Sequence, residues 1–177
     1  MLRFNSDHKF KIMQIADTQE IPAVSPDTLS LINNALDREK PDLVIFTGDQ
    51  IKGYSKKFKK DPAIIESTID TLVEPIAKRN IPFMVTYGNH DAQCGVDNRG
   101  QYKFYAKYDN FISGDLRNSD DVGTADIQIY SSTEDKPVFE LYIIDSHGKA
   151  KDGAGYAPVN KEQIEWYVSR REQLKAE

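Results

Sequence analysis

Three short apolar runs, each closed by a polar cluster, punctuate the first half of the chain. Lys11-Ile12-Met13-Gln14-Ile15-Ala16 runs into Asp17, Leu43-Val44-Ile45-Phe46 into Thr47-Gly48-Asp49, and Phe83-Met84-Val85-Thr86 into Tyr87-Gly88-Asn89-His90-Asp91. Runs of this length bounded by turn residues predict buried strands. The stretches between them have helical spacing. Ser25-Pro26 supplies a cap followed by proline at the first helical position, and Leu29, Ile32, Asn33 and Leu36 continue until Lys40-Pro41 stops the helix. Asp61-Pro62 repeats the start signal, with Ile65, Ile69, Leu72, Val73 and Ile76 as the apolar stripe and an end near Asn80. Alternating strands and helices predict a parallel sheet. Crossovers of one hand then bring Asp17, Asp49, Asn89 and His90 to the same carboxyl edge.

Beyond the third strand, Gly95 to Gly100 reads as loop, and Phe104, Tyr105, Tyr108, Phe111 and Ile112 sit at helical spacing. Asp126 to Tyr130 and Val138 to Asp145, joined by the polar Ser131 to Lys136, predict an antiparallel hairpin. Asn160 to Lys175 predicts a last helix. The expected fold class is α/β: a largely parallel sheet, continued by the hairpin into a second sheet layer, with helices outside. No internal repeat or composition break divides residues 1–177, so one domain is expected.

Composition narrows the class without naming a chemistry. A chain of 177 residues, 39% hydrophobic, can bury a real core. Its apolar runs fall far short of the roughly 18 residues of a membrane span, and the first residues lack a secretory h-region. A cytoplasmic location and no membrane partner are therefore expected. The single cysteine, Cys94, cannot form an internal disulfide and reads as an inert small side chain. A net charge of −5 does not indicate nucleic acid, whose binding is dominated by phosphate neutralisation. Lys52, Lys56, Lys57, Lys59 and Lys60 form a basic run that reads first as a solvated loop and second as a guide for an anionic substrate. The aromatic cluster from Tyr102 to Phe111 reads as helix core rather than a stacking platform.

The strand-end residues suggest metal chemistry. Divalent cations of hard or borderline character take carboxylate oxygen, amide oxygen and imidazole, and a pair of ions needs a carboxylate that bridges them. Asp17, Asp49 and Asn89 carry such oxygens. Glycine before Asp49 and before Asn89 lets the backbone turn sharply beside an ion or phosphate. His90 is placed to hydrogen-bond a phosphoryl oxygen or to protonate a leaving alkoxide. Taken singly, Asp17 or Asp49 is equally a turn residue at a strand end.

The ordered set Asp17, Gly48-Asp49 and Gly88-Asn89-His90-Asp91 resembles the calcineurin-like metallophosphoesterase family, whose pattern runs Asp-x-His, Gly-Asp, Gly-Asn-His-Asp/Glu, a lone His, then Gly-His-x-His. The resemblance implies a metallophosphoesterase-like β-sandwich flanked by helices, and hydrolysis of phosphoric esters, as a phosphatase or phosphodiesterase, by a dinuclear metal centre. It implies two divalent ions, of the Mn, Fe or Zn type, and a small phosphorylated substrate. In that pattern Asp17 is a ligand of the first metal, Asp49 the bridge, Asn89 a ligand of the second, and His90 the group that stabilises the transition state. Asp91 then orients His90 from behind.

Two departures accompany the resemblance. Gln19 stands where the family has the histidine of Asp-x-His; its amide oxygen can still ligate the first metal but is a weaker donor, and a solvated loop amide is the equal alternative. No Gly-His-x-His occurs in the sequence, whose only histidines are His8, His90 and His147. His147, in Asp145-Ser146-His147-Gly148, reads as a turn residue in the family's Asp-Ser segment, with a substitute ligand as the other reading. The expectation is accordingly a single, truncated domain, incomplete at the C-terminus, that is the N-terminal part of a longer enzyme or a shortened relative of one. By itself such a chain is expected to hydrolyse esters weakly or not at all. The rival classes are an inert metal-binding fragment and a nucleotide-binding module, the latter without a Gly-x-Gly-x-x-Gly or P-loop sequence.

Overall fold

The computed structural model describes residues 1–150, 153 and 155–176, and shows two sheets with helices packed on each of them. The strands are β1 (Leu2–Arg3), β2 (Ile12–Ile15), β3 (Leu43–Thr47), β4 (Phe83–Thr86), β5 (Asp115–Leu116), β6 (Ala125–Tyr130) and β7 (Pro137–Ile143); helices α1 (Pro26–Glu39), α2 (Pro62–Ala77), α3 (Asn98–Ala106) and α4 (Lys161–Ala176) follow β2, β3, β4 and β7 respectively. The first sheet has the order β2-β3-β4, with both pairings parallel. The second places β6 between β1 and β5 with β7 also on β6, and the β6–β7 hairpin is antiparallel.

Strand β3 is apolar throughout because both of its faces are covered. Val44 and Phe46 join Ile32 and Leu36 of α1, Ile65, Ile69, Leu72, Val73 and Ile76 of α2, and Tyr105 of α3 in the core beneath the helices. Leu43 and Ile45 point the other way and, with Met84, meet Leu2, Ala125, Ile129 and Ile143 between the two sheets. The period of two along one strand thus serves two cores.

The helix ends follow the expected capping. Ser25 Oγ accepts the Asp27 N–H, and Asp61 Oδ1 accepts the Ala63 N–H, each ahead of a proline in the first turn. At α4, Asn160 Oδ1 accepts the Gln163 N–H while Gln163 Oε1 accepts the Asn160 N–H, a reciprocal capping box.

The segment after β4 departs from the periodicity. The expected loop ends early, because Asp97 Oδ1 accepts the Gly100 N–H and starts α3 at Asn98. The helix also stops at Ala106, since Phe111 pairs with Phe83 as a short parallel bridge instead of continuing it. Tyr105, which is buried, and Phe104, Tyr108 and Phe111, which are partly buried, have the same spacing in a helix as in a helix followed by a turn, so the pattern alone could not place the break. The short strands β1 and β5 had no sequence signal.

Candidate metal centre at the carboxyl edge

The loops after β2 and β3 run side by side. The N–H groups of Asp17, Gln19 and Glu20 donate to the carbonyls of Gly48, Asp49 and Gln50 at 3.0, 2.9 and 3.1 Å. Asp17, Gln19 and Asp49 all adopt left-handed backbone, with φ of 53°, 43° and 53°. Such a conformation persists in non-glycine residues only where the surroundings over-determine it, at a cost of about 1 kcal/mol or more each. Here the inter-loop hydrogen bonds do so.

A third loop is drawn in by Asp91. Its buried carboxylate accepts the N–H of Asp49 at 2.8 Å, of Gly88 at 2.8 Å and of Ile51 at 3.2 Å. Burial pushes the Asp91 carboxyl up to about 6, against the opposing pull of these three donors. The approach is close enough that side chains are excluded. A Cβ on Gly48, whose φ is +106°, would lie 2.5 Å from the Gly88 nitrogen, and one on Gly88 would lie 2.1 Å from Asp49 Oδ1.

The sequence-predicted residues converge around Asp49. Its Oδ1 accepts the His90 backbone N–H at 2.9 Å, and its Oδ2 lies 3.4 Å from Gln19 Nε2. Asp17 is held beside it by the backbone ladder, with its carboxylate exposed. Asn89 occupies the turn that Asp49 and Asp91 hold, half-buried. Two carboxylates and an amide oxygen offer a divalent cation hard donors from three strand ends, so the donor set fits such an ion. Gln19 turns its amide N–H₂ toward Asp49 and its Oε1 toward the Tyr54 hydroxyl, both at 3.4 Å.

The expected contact from Asp91 to the His90 ring is replaced by another. Three backbone amides occupy Asp91 on the inner side of the loops, and His90 Nδ1 lies 3.2 Å from Gln93 Oε1. Gln93 Nε2 donates to the Asn89 carbonyl at 3.0 Å, which fixes the amide so that an acceptor faces Nδ1. Nδ1 therefore carries the proton, leaving Nε2 for a ligand. Asp91 shapes the site through the backbone, and Gln93 orients the imidazole. Sequence reasoning missed Gln93, whose one signal was its place three residues after His90.

A second polar cluster lies close by, where β7 ends. Asp121, Asp145 and His147 bring donor atoms within 4.8 Å of one another. Arg117 Nε and Gln163 Nε2 both donate to Asp121 Oδ2, leaving Asp121 Oδ1 buried without a hydrogen-bond partner, while Asn98 Nδ2 and the His147 N–H donate to the two oxygens of Asp145. His147 has a φ of 67° and a ring nitrogen 3.8 Å from Asp145, consistent with a turn held by an acid. Gln163 also donates to Thr124 Oγ1 and the Asp145 carbonyl, so α4 is pinned to the second sheet by this network.

The sequence profile of the calcineurin-like phosphoesterase family matches residues 10–176. The chain belongs to that family. Among the proteins similar to it is Phosphatase DCR2 of Saccharomyces cerevisiae, 31% identical over 177 residues, covering 88% of this chain and 30% of that protein. A protein of Arabidopsis thaliana called probable inactive purple acid phosphatase 14 is 28% identical over 205 residues, covering 99% of this chain and 50% of its own length. The chain thus spans half or less of these two relatives. A dimetal phosphatase from Danio rerio has a similar fold, with a TM-score of 0.54 over 90% of this chain and 50% of that one, at 14% identity. No described helix is long and apolar enough to cross a membrane.

Proposed function

We propose that the protein hydrolyses phosphoric esters with a dinuclear divalent centre whose ligands include Asp17, Asp49 and Asn89. The observation that carries this reading is the position of Asp49: a carboxylate at the meeting point of three loops, between Gln19 and the Asn89-His90 turn, with Asp17 tied alongside. Membership of the calcineurin-like family supports the reaction class. When bound, the ions would polarise the phosphoryl group and lower the pKa of a water. The protein's own groups divide the remaining work. Asp49, with Oδ1 on the His90 N–H and Oδ2 beside Gln19 Nε2, would supply the central carboxylate, and Asn89 would supply an amide oxygen from the turn. His90, with Nδ1 engaged by Gln93, presents Nε2 to the leaving oxygen, where it can donate a proton once charged. The substrate in this reading is a small phosphorylated molecule.

A second reading, an inert metal-binding protein, is favoured by one observation: Gln19 presents its N–H₂ to Asp49 where the family pattern has a histidine ligand. The name of the Arabidopsis thaliana relative points the same way. One experiment separates the two. The purified chain is loaded with excess Mn²⁺, its metal content is measured, and an aryl phosphate monoester and diester are assayed beside an Asp49→Asn control. Metal-dependent turnover that vanishes in the control supports the hydrolase, even at rates below about 1 s⁻¹. Bound metal without turnover supports the inert protein, and no bound metal removes both.

A further inference from the structure

We propose that Tyr54 forms the wall of a leaving-group subsite and selects phosphoric esters whose leaving group carries a planar aromatic ring; the inference rests on the hydrolase reading above. Tyr54 lies five residues after Asp49, in the loop that follows β3, and half of its surface is open to solvent. Its ring centroid is 4.8 Å from that of His90, with an interplanar angle of 62°. Its hydroxyl reaches the Gln19 amide oxygen at 3.4 Å, and Lys52 Nζ sits 5.1 Å from the ring centroid. One side chain thus touches two residues of the metal centre's rim and carries a cation on its ring.

The placement is built into the backbone. Gly53 is buried, and a Cβ there would lie 2.0 Å from the His90 carbonyl oxygen and 2.9 Å from that of Asp91. Only a residue without a side chain lets the 52–54 segment lie flat against the turn that carries His90. Tyr54 is thereby fixed at the histidine's side.

Chemistry then assigns the subsite. A group that protonates the departing oxygen must stand next to the leaving group, so the surface flanking His90 is the surface the leaving group meets. That surface is an exposed tyrosine ring beside an ammonium. Aromatic rings accept planar groups by offset or edge contact, and the attraction is largest where water is displaced. Beyond Tyr54 a cleft of about 370 Å³, lined in part by Ser55, Lys56, Lys59, Lys60 and Gln93, has room for such a group to extend. Its lysines favour an anionic ligand over a neutral or cationic one.

The test uses non-hydrolysable ligands, so that it does not depend on turnover. Affinities of phenylphosphonate and methylphosphonate for the Mn²⁺-loaded chain are measured by titration calorimetry for the wild type, Tyr54→Ala and Tyr54→Phe, with circular dichroism as the check on folding. The wild type is expected to prefer phenylphosphonate, and Tyr54→Ala to lose roughly tenfold of that preference. Tyr54→Phe keeps the ring and should restore it. Equal affinity of the two ligands for the wild type, or an equal loss for both in Tyr54→Ala, overturns the inference while leaving the hydrolase reading in place. Loss of the preference in Tyr54→Phe overturns it too, because the hydroxyl's hold on Gln19 would then be the cause. Binding of neither phosphonate to the metal-loaded wild type removes the hydrolase reading, and this inference with it.

Discussion

The Asp91 carboxylate accepts the Asp49 backbone N–H at 2.8 Å, so a buried acid on the loop after β4 positions the central acid on the loop after β3. The same carboxylate holds Gly88 and Ile51, and through these three bonds it sets the spacing of Asp49 from the Asn89-His90 turn. Asp91→Ala should destabilise the fold by about 2–4 kcal/mol, since buried backbone donors lose their acceptor. Metal content should fall in parallel. Urea unfolding with elemental analysis checks both, and wild-type stability in the variant would show that the loops hold their spacing without Asp91.

Metal binding should depend on Asp49 more than on Gln19. A carboxylate shared by two ions contributes to each, whereas Gln19 presents its N–H₂ to Asp49 and would have to reverse its amide to ligate. Asp49→Asn is expected to lose most of the bound Mn²⁺, and Gln19→Ala to retain most of it. Equal metal content in wild type and Asp49→Asn would remove the bridging assignment.

His90 should act on the phosphoryl group rather than on the ion. His90→Ala is expected to cut kcat by about 10² to 10⁴ with metal content near normal. Gln93→Ala should cost several-fold, because the ring loses its Nδ1 partner but keeps its place against Tyr54. Metal loss in parallel with activity in His90→Ala would make the histidine a ligand.

Stability should also report on Glu140, on the face of the hairpin that meets α4. Burial and the neighbouring Asp126, itself paired with Arg170, push the Glu140 carboxyl up to about 8. The folded-state value lies above the unfolded one, so this group's contribution is complete below about 4.5 and is lost as pH rises through about 8. Wild-type stability is therefore expected to fall between pH 5.5 and 8. Glu140→Gln, which keeps the shape without the charge, should flatten that slope. Parallel slopes in urea titrations of the two proteins would show that Glu140 is ionised throughout the range.

Much of the framework was legible in the residues themselves. The strand β3 is a continuous apolar run because both faces are buried, and α1 and α2 begin where Ser25-Pro26 and Asp61-Pro62 say they do, since capping is a local interaction between neighbours in sequence. The convergence of Asp17, Asp49, Asn89 and His90 followed from strand direction alone. What lay beyond the sequence were relationships across distant segments. Asp91 looked like a partner of the adjacent His90 ring, but its carboxylate turns inward to amides of residues 49 and 51, which only the packed loops bring within reach. The end of α3 was decided by the pairing of Phe111 with Phe83, and the place of Tyr54 by the absence of a side chain at Gly53. Hydrophobic period and capping act over a few residues and are written in the chain. Which buried acid meets which amide, and which ring meets the histidine, depends on backbone segments 36 to 42 residues apart coming into van der Waals contact, and that is settled only when the two cores have packed.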